Sequence, residues 1–515
     1  MFWNFPGEKN VKMVLTKSSQ DLYTGYIDRM QKIADVKYSA ALLQWDQETY
    51  LPEKGAAFRG RQLATLTEIA HEWFVDPSLG QLLEDLNGRG DLEASQHRNV
   101  ELSLEDFNKQ KKFSPAFIRR LSEASSRSFH SWLQARSANS FALFKDDLQQ
   151  LVALKKEEAD LAGYQDHPYN ALLDQYEKGA TTTLLDSVFA AIRTPLDDLL
   201  RRIAGRPQVD NSFLQGEFPR QQQWDFGMSL IRQIGFDFKA GRQDISEHPF
   251  TTSFNSEDVR ITTRIDEHDF SHMTWSCIHE TGHALYEQGL PVEYYGLPLG
   301  EYASLSIHES QSRLWENNIG RSFNWWTTIY PRLQNTFPDR LKTVSPAQFY
   351  QGINKVQPSL IRTEADEVSY HFHVMIRYEL EKQLLDGSLS VADIPSWWNN
   401  SYKTWLGMTV PDDKRGCLQD VHWSHGSFGY FPTYSMGSFY AAQFFAAAED
   451  QQPGLSQAIG SGNTNSLLAW LRDRIHRHGR RYTSEELCFR ATGKSLDTSY
   501  FLSYLFDKYR NIYNF

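Results

Sequence analysis

Residues 276–285 read SCIHETGHAL, with histidines at 279 and 283 and Glu280 directly after the first of them. On a helix, positions i and i+4 share one face about 5–6 Å apart, near enough for both imidazoles to bind one metal ion. The flanks favour a helix. Asp269 or Ser271 can cap its start, Gly289 suits its C-terminal side, and Pro291 blocks continuation. Gly282 inside it costs about 1 kcal/mol of helix propensity, a cost that close backbone packing would explain. The same spacing also fits a solvated helix face, so the surroundings have to decide.

Just upstream, DVRITTRI (258–265) alternates Val259, Ile261, Thr263 and Ile265 with Arg260, Thr262 and Arg264. That period of two, rich in β-branched residues, predicts a strand, and the strand is expected to offer an edge to an extended peptide. Most of the remaining chain carries apolar residues at helical spacing, as in 21–47, 115–163 and 181–205. The second run is too long for one globular helix and is expected to break near Ser137 to Ser140. No Gly/Ser- or Pro-rich linker and no fixed-period repeat divides the chain. The reading is a mostly α protein, one large helical body over 17–515 with a small β-sheet near residue 260. Residues 1–16 read as a short N-terminal extension, with Met13 as an alternative start.

Hydrophobic residues make up 40% and aromatic residues 14% of the 515, ample for a large core. A formal net charge of −11 argues against nucleic acid as a partner. The three cysteines, Cys277, Cys417 and Cys488, form no disulfide framework, which points to a reducing compartment. Glu8, Lys9 and Lys12 stand where a signal peptide needs an apolar run, and FYAAQFFAAA (439–448) is too short to span a bilayer. A cytoplasmic protein with no membrane contact is expected.

A catalytic zinc needs a third protein ligand. SIHESQSRLWENNIG (306–320) offers Glu309 on a second predicted helix, and GLPVEYYGLPLG (289–300) supplies the glycines and prolines that turn the chain back. Helix, turn and helix can then bring Glu309 over the two histidines, although spacing alone also allows a surface glutamate. Zinc there would lower the pKa of a water toward about 7. Glu280 can take that proton and return it to a departing amine, which is peptide hydrolysis without a covalent intermediate.

Five stretches together resemble the carboxypeptidase Taq family of metallocarboxypeptidases: DVRIT (258–262), HETGH (279–283), HESQ (308–311), IRTEAD (361–366) and GCLQDVHW (416–423). WDQETYLP (45–52), YNALLDQYEKG (169–179), GRQDISEHPF (241–250) and GYFPTY (429–434) are similar as well. The resemblance runs from about Leu22 to the C-terminus. It implies a gluzincin-like helical fold with a deep substrate groove, and release of single C-terminal amino acids from peptides with broad specificity. It also implies a homodimer and one zinc ion per chain, with Co2+ or Mn2+ as alternatives. By motif position, His279, His283 and Glu309 become the ligands and Glu280 the base.

Such an enzyme must hold a free terminal carboxylate, for which arginine's planar fork is suited. Arg362 and Arg260 are the candidates, with Arg362 expected to pair with Asp366 one turn on. DVHWSHGSFGYFPTY (420–434) concentrates His422, His425, Tyr430 and Tyr434, any of which can steady an oxyanion, and Tyr434 can equally meet the carboxylate. Cys277 lies about 200° around the helix from His279 and reads as a buried thiol. Trp45, Asp46 and Glu48 read as bracing residues, and His371 and His373, two apart, cannot share a metal from one helix face. Two rivals share these ligands: a zinc oligoendopeptidase, and a peptide-binding protein with a vestigial metal site.

Overall fold

Helical periodicity becomes helix over most of the computed structural model, which describes residues 17–515. The helix Thr182–Ala204 shows the cause. It buries Leu185, Phe189, Ile192, Leu196, Leu199 and Ile203, spaced three and four apart, and the Thr181 hydroxyl caps it by accepting from the Leu184 amide. The long run at 115–163 breaks where expected. Helices Pro115–Ala138 and Ala142–Ala162 are separated at Asn139, which takes the left-handed conformation (φ 54°) that asparagine tolerates. The extension expected at residues 1–16 lies outside the described residues.

The largest buried apolar cluster is rich in aromatics, with Trp315, Trp325, Trp326, Trp398 and Trp423 fully enclosed. A second gathers Tyr26, Leu83 and Val100 from N-terminal helices around Leu297. A third lies beneath a three-stranded sheet, where Ile231, Val259, Ile261, Met273, Cys277 and Ala284 meet. The cysteines are all buried and free. Among the described residues no helix is long and apolar enough to cross a membrane.

The sheet runs in the order β1 (Gly241–Ile245), β3 (Asp258–Thr263), β2 (Thr251–Asn255). β1 pairs with β3 in parallel and β2 pairs with it antiparallel, Thr251 opposite Ile261 and Ser253 opposite Val259. The predicted strand is therefore present, but it is central. Both of its edges are taken, and it has none to offer a peptide. Alternation reports which face a side chain takes, not which strands lie alongside, so the sequence could not distinguish centre from edge. The outer strands are β1 and β2.

The helix Phe270–Glu287, carrying HETGH, packs on this sheet and on the helix Leu305–Arg313, carrying HESQ. Their approach is set by Gly282. A Cβ there would lie 2.5 Å from Ser312 Cα and 2.7 Å from the Gln311 carbonyl oxygen. On its other side the HESQ helix meets the helix Pro432–Gln451 at Gly437, where a Cβ would stand 2.5 Å from Glu309 Cγ. Two glycines thus let three helices close on one glutamate.

Gly282→Ala should therefore destabilise. Alanine is the better helix former by about 1 kcal/mol, but its methyl meets backbone that cannot swing aside, and overpacking costs about 1–3 kcal/mol. A lowered thermal midpoint is the expected result, and a raised one would mean the two helices stand farther apart.

Candidate active site

Asp269 starts the HETGH helix, its carboxylate accepting the Ser271 amide at 2.7 Å. Ten residues of helix then place His279 and His283 on one face, ring centroids 5.0 Å apart. After Gln288 the chain turns back through short 3-10 turns at Val292–Tyr294 and Pro298–Gly300. Ser304 caps the HESQ helix by accepting from the Ile307 amide. This return brings Glu309 Oε2 to 3.5 Å from His283 Nε2 and 3.9 Å from His279 Nε2. The three groups can hold a single metal ion.

Their chemistry fits one. His279 Nδ1 lies 2.8 Å from the Glu316 carboxylate and His283 Nδ1 lies 3.0 Å from the main-chain carbonyl of His308. Both acceptors require the proton on Nδ1, which leaves each Nε2 as a bare lone pair facing Glu309. Arg313 holds the carboxylates in turn, donating from Nε to Glu309 Oε1 (2.6 Å) and from Nη1 to Glu316 Oε2 (3.1 Å). Arg321 adds a contact to Glu316 Oε1 at 3.2 Å.

Burial opposes ionisation of Glu316, but Arg313, His279 and Arg321 outweigh it and hold its pKa far below the usual carboxylate range. The opposing pulls differ for the two imidazoles. Burial would lower His279, yet the Glu316 hydrogen bond and the Glu309 charge raise it. His283 is pushed well below its ordinary value, by burial first and then by His308 and His279, which favours the neutral form that a metal ion binds.

Glu280 points away from the imidazole pair, toward β2. Thr251 Oγ1 contacts its carboxylate at 2.6 Å and its main-chain carbonyl at 3.0 Å. Burial raises the Glu280 pKa, and the partly opposing pulls of His279 and Thr251 do not cancel that. A carboxylate with raised proton affinity, one oxygen held and the group facing a cavity, is equipped to accept a proton from water.

That cavity, about 960 Å³, is lined by His279, Glu280, His283, Glu309, β2, Tyr430 and Tyr434. Tyr430 and Tyr434 therefore reach the site. His422 stands behind, its Nε2 3.2 Å from the Tyr434 hydroxyl, and its pKa falls to about 3 because it is buried beside Arg362. His425 does not join them. It is exposed, its ring against Phe129 at 4.9 Å. Arg260 is committed elsewhere, to Asp258 at 2.9 and 3.0 Å and to the faces of Trp45 and Phe254. Trp45 thus braces β3, and Asp46 pairs with Arg59.

Arg362 is buried under the Tyr434 ring, its guanidinium 4.9 Å from the centroid. It does not pair with Asp366. Residues Arg362–Glu364 form one 3-10 turn, Ala365 is extended, and Asp366 turns instead to the amides of Gln357, Val368 and Ser369. Four-residue spacing makes a pair only along continuous helix. The partner is Asp420, 3.0 Å from Arg362 Nε, and Asp420 also binds Arg377. One carboxylate between two buried guanidiniums leaves a surplus positive charge. Arg362 Nη1 meets the Tyr370 hydroxyl at 3.2 Å, and among the described residues Nη2 has no hydrogen-bond partner. His371 and His373 bond separately to Ser435 and Tyr402.

Sequence reasoning missed Arg313, Glu316, His308, Glu287 and Thr251. A signal existed for two: Arg313 and Glu316 follow Glu309 at helical spacing. Thr251 was also legible, since TTSF and DVRITT flank a short polar NSE turn, a hairpin pattern.

A family model described as carboxypeptidase Taq (M32) metallopeptidase matches residues 25–509. Thermostable carboxypeptidase 1 of Thermus thermophilus is 39% identical over 504 residues, covering 95% of this chain and 99% of the relative. The crystal structure of the M32 carboxypeptidase from Deinococcus radiodurans R1 superposes with a TM-score of 0.94 at 38% identity, over 96% of this chain and 100% of that one. A solved structure described as CHT is 58% identical with a TM-score of 0.94, over 95% and 99%.

If Glu309 is a ligand, Glu309→Ala leaves two imidazoles, one donor short of the usual three. Metal per chain after dialysis should fall sharply relative to the unsubstituted protein. Unchanged content and affinity would remove Glu309 from the ligand set.

Proposed function

Because this chain belongs to the carboxypeptidase Taq family of metallopeptidases, we propose that it releases single C-terminal amino acids at the His279–His283–Glu309 site, with Glu280 as general base. It is a metallocarboxypeptidase, a peptide hydrolase. A divalent ion bound there supplies Lewis acidity to the scissile carbonyl and to water. Glu280 then removes the proton from the attacking water and delivers it to the departing amine, while Thr251 keeps one carboxylate oxygen fixed. The Tyr430 hydroxyl, on the cavity wall, is proposed to donate to the oxyanion. An extended peptide can add along β2, the outer strand that lines the cavity.

The exopeptidase reading rests on one observation above all, the surplus positive charge that Arg362 and Arg377 share over Asp420 behind Tyr434. A terminal carboxylate is the group that would complete it, through the outer Nη end of Arg362 and the Tyr434 hydroxyl, with His422 steadying that hydroxyl. Arg260, bound to Asp258, and the exposed His425 lie outside this arrangement and are not proposed to touch substrate. Two imidazoles and a carboxylate suit zinc, proposed as one ion per chain, replaceable by Co2+ or Mn2+. Broad side-chain specificity and a homodimer are proposed from the family resemblance, and a cytoplasmic location from the three free cysteines.

Glu280→Gln should retain its metal and lose about 10²–10⁴-fold of its turnover, the usual cost of removing a general base. Near-normal turnover in a fully metallated Glu280→Gln protein would refute the assignment.

Amidating a peptide C-terminus removes the charge that matches Arg362, and should lower kcat/KM by about 10–100-fold. N-terminal acetylation should matter little. Arg362→Ala should narrow the preference for acid over amide without changing metal content. Mass spectrometry of the digest should show stepwise loss of single C-terminal residues. Internal fragments as first products, or equal cleavage of acid and amide, would favour an endopeptidase.

A further inference from the structure

One pair of side chains at the edge of the metal site has no part in the chemistry above. His308 stacks on His283 with ring centroids 4.5 Å apart, and the two Nδ1 atoms are 2.6 Å from each other. On its far side His308 Nε2 lies 2.7 Å from Glu287 Oε1. Glu287 is the last residue of the HETGH helix, one turn beyond His283, and is buried. Its second oxygen accepts from Ser253 Oγ, on β2, at 2.7 Å.

The protons in this chain have one consistent arrangement with both rings neutral. The Glu287 carboxylate only accepts, so His308 carries its proton on Nε2. That leaves His308 Nδ1 bare, an acceptor. The main-chain carbonyl of His308, 3.0 Å from His283 Nδ1, can also only accept. His283 must therefore carry its proton on Nδ1 and donate toward both. Its Nε2 is then a lone pair aimed at Glu309. A proton moved to His283 Nε2 would leave two bare Nδ1 atoms facing each other and an unmatched carbonyl.

We propose that His308 and Glu287 are positioning residues for the ligand His283: they hold its ring in place and lock the tautomer that binds metal. His279 is served by Glu316 directly, whereas His283 reaches its carboxylate through a second imidazole. Both ligands thus end on a carboxylate, by routes of different length. The inference rests on His279, His283 and Glu309 being the metal site.

The test uses the full chain and reads zinc affinity by competition with a chelator. The visible absorption of the Co2+-substituted protein and the thermal midpoint of the metal-free protein are recorded in parallel. His308→Phe keeps a ring in the stack and removes both hydrogen bonds. His308→Gln restores an acceptor for His283 and a donor for Glu287. Glu287→Gln keeps the shape and removes the charge. Loss of such an outer partner typically costs about 10–100-fold in metal affinity, and His308→Phe should lose that much, with an altered Co2+ spectrum and an unchanged metal-free midpoint. His308→Gln should recover most of the loss, and Glu287→Gln should show a smaller loss of the same kind. If His308→Phe does not fold, Glu287→Gln carries the test, and full zinc affinity in it overturns the proposal. Wild-type affinity in His308→Phe, or no recovery in His308→Gln, overturns it as well. An unsubstituted protein that binds no zinc would instead sink the metal site itself.

Discussion

Everything at the centre of this molecule depends on how closely two helices approach at Gly282. With no side chain there, the HETGH helix lies against the backbone at Gln311 and Ser312, and the helix carrying Glu309 comes within reach of the two imidazoles. Gly437 repeats the arrangement from the opposite side, where the helix Pro432–Gln451 passes over the Glu309 stem. The glycines matter here because of volume, since both sit in ordinary helical backbone. Any larger residue would hold the helices apart, and the donor atoms with them.

Close packing removes water, and that makes the charges of the site expensive unless each is matched. Glu309 and Glu316 share Arg313, Glu316 also takes Arg321 and His279, and Arg313 lies across the Tyr370 ring. Each group is partnered on the side away from the cavity. The faces turned toward the cavity, two bare imidazole nitrogens and a carboxylate oxygen, are those a cation would satisfy. The same low-dielectric setting raises the Glu280 pKa, so the burial that assembles the donors also favours the neighbouring carboxylate as a base.

The cavity also brings unlike tasks together. One wall is β2, an outer strand of the sheet, with Thr251 and Ser253 reaching the glutamates of the HETGH helix. Across from it stand Tyr430 and Tyr434, backed by a cluster whose two guanidiniums outnumber its one carboxylate. Strand addition by itself would accept a chain passing through in either sense. The uncompensated charge under Tyr434 is what favours a chain that ends there.

Local periodicity was enough to read the helices, the break at Asn139, the strand at 258, and the face shared by His279 and His283. Each of these is decided within a turn or two of backbone. Glu309 was readable one step further, because a short turn rich in glycine and proline limits where the next helix can go. Contacts between distant segments were not readable. Arg362 finds Asp420 rather than Asp366 across a separation of 58 residues, because its own segment is a single 3-10 turn and not a helix. β3 proved central because β1 and β2 flank it, and no alternation pattern carries that information. His425 and Tyr434 sit in one motif, yet the 3-10 turn His422–His425 leaves the first on the surface and the helix that follows carries the second to the cavity. The sequence by itself determined which donors exist and on which local face they stand. Only the tertiary structure decided which buried charge each would meet, because that pairing is set by the packing of helices far apart along the chain.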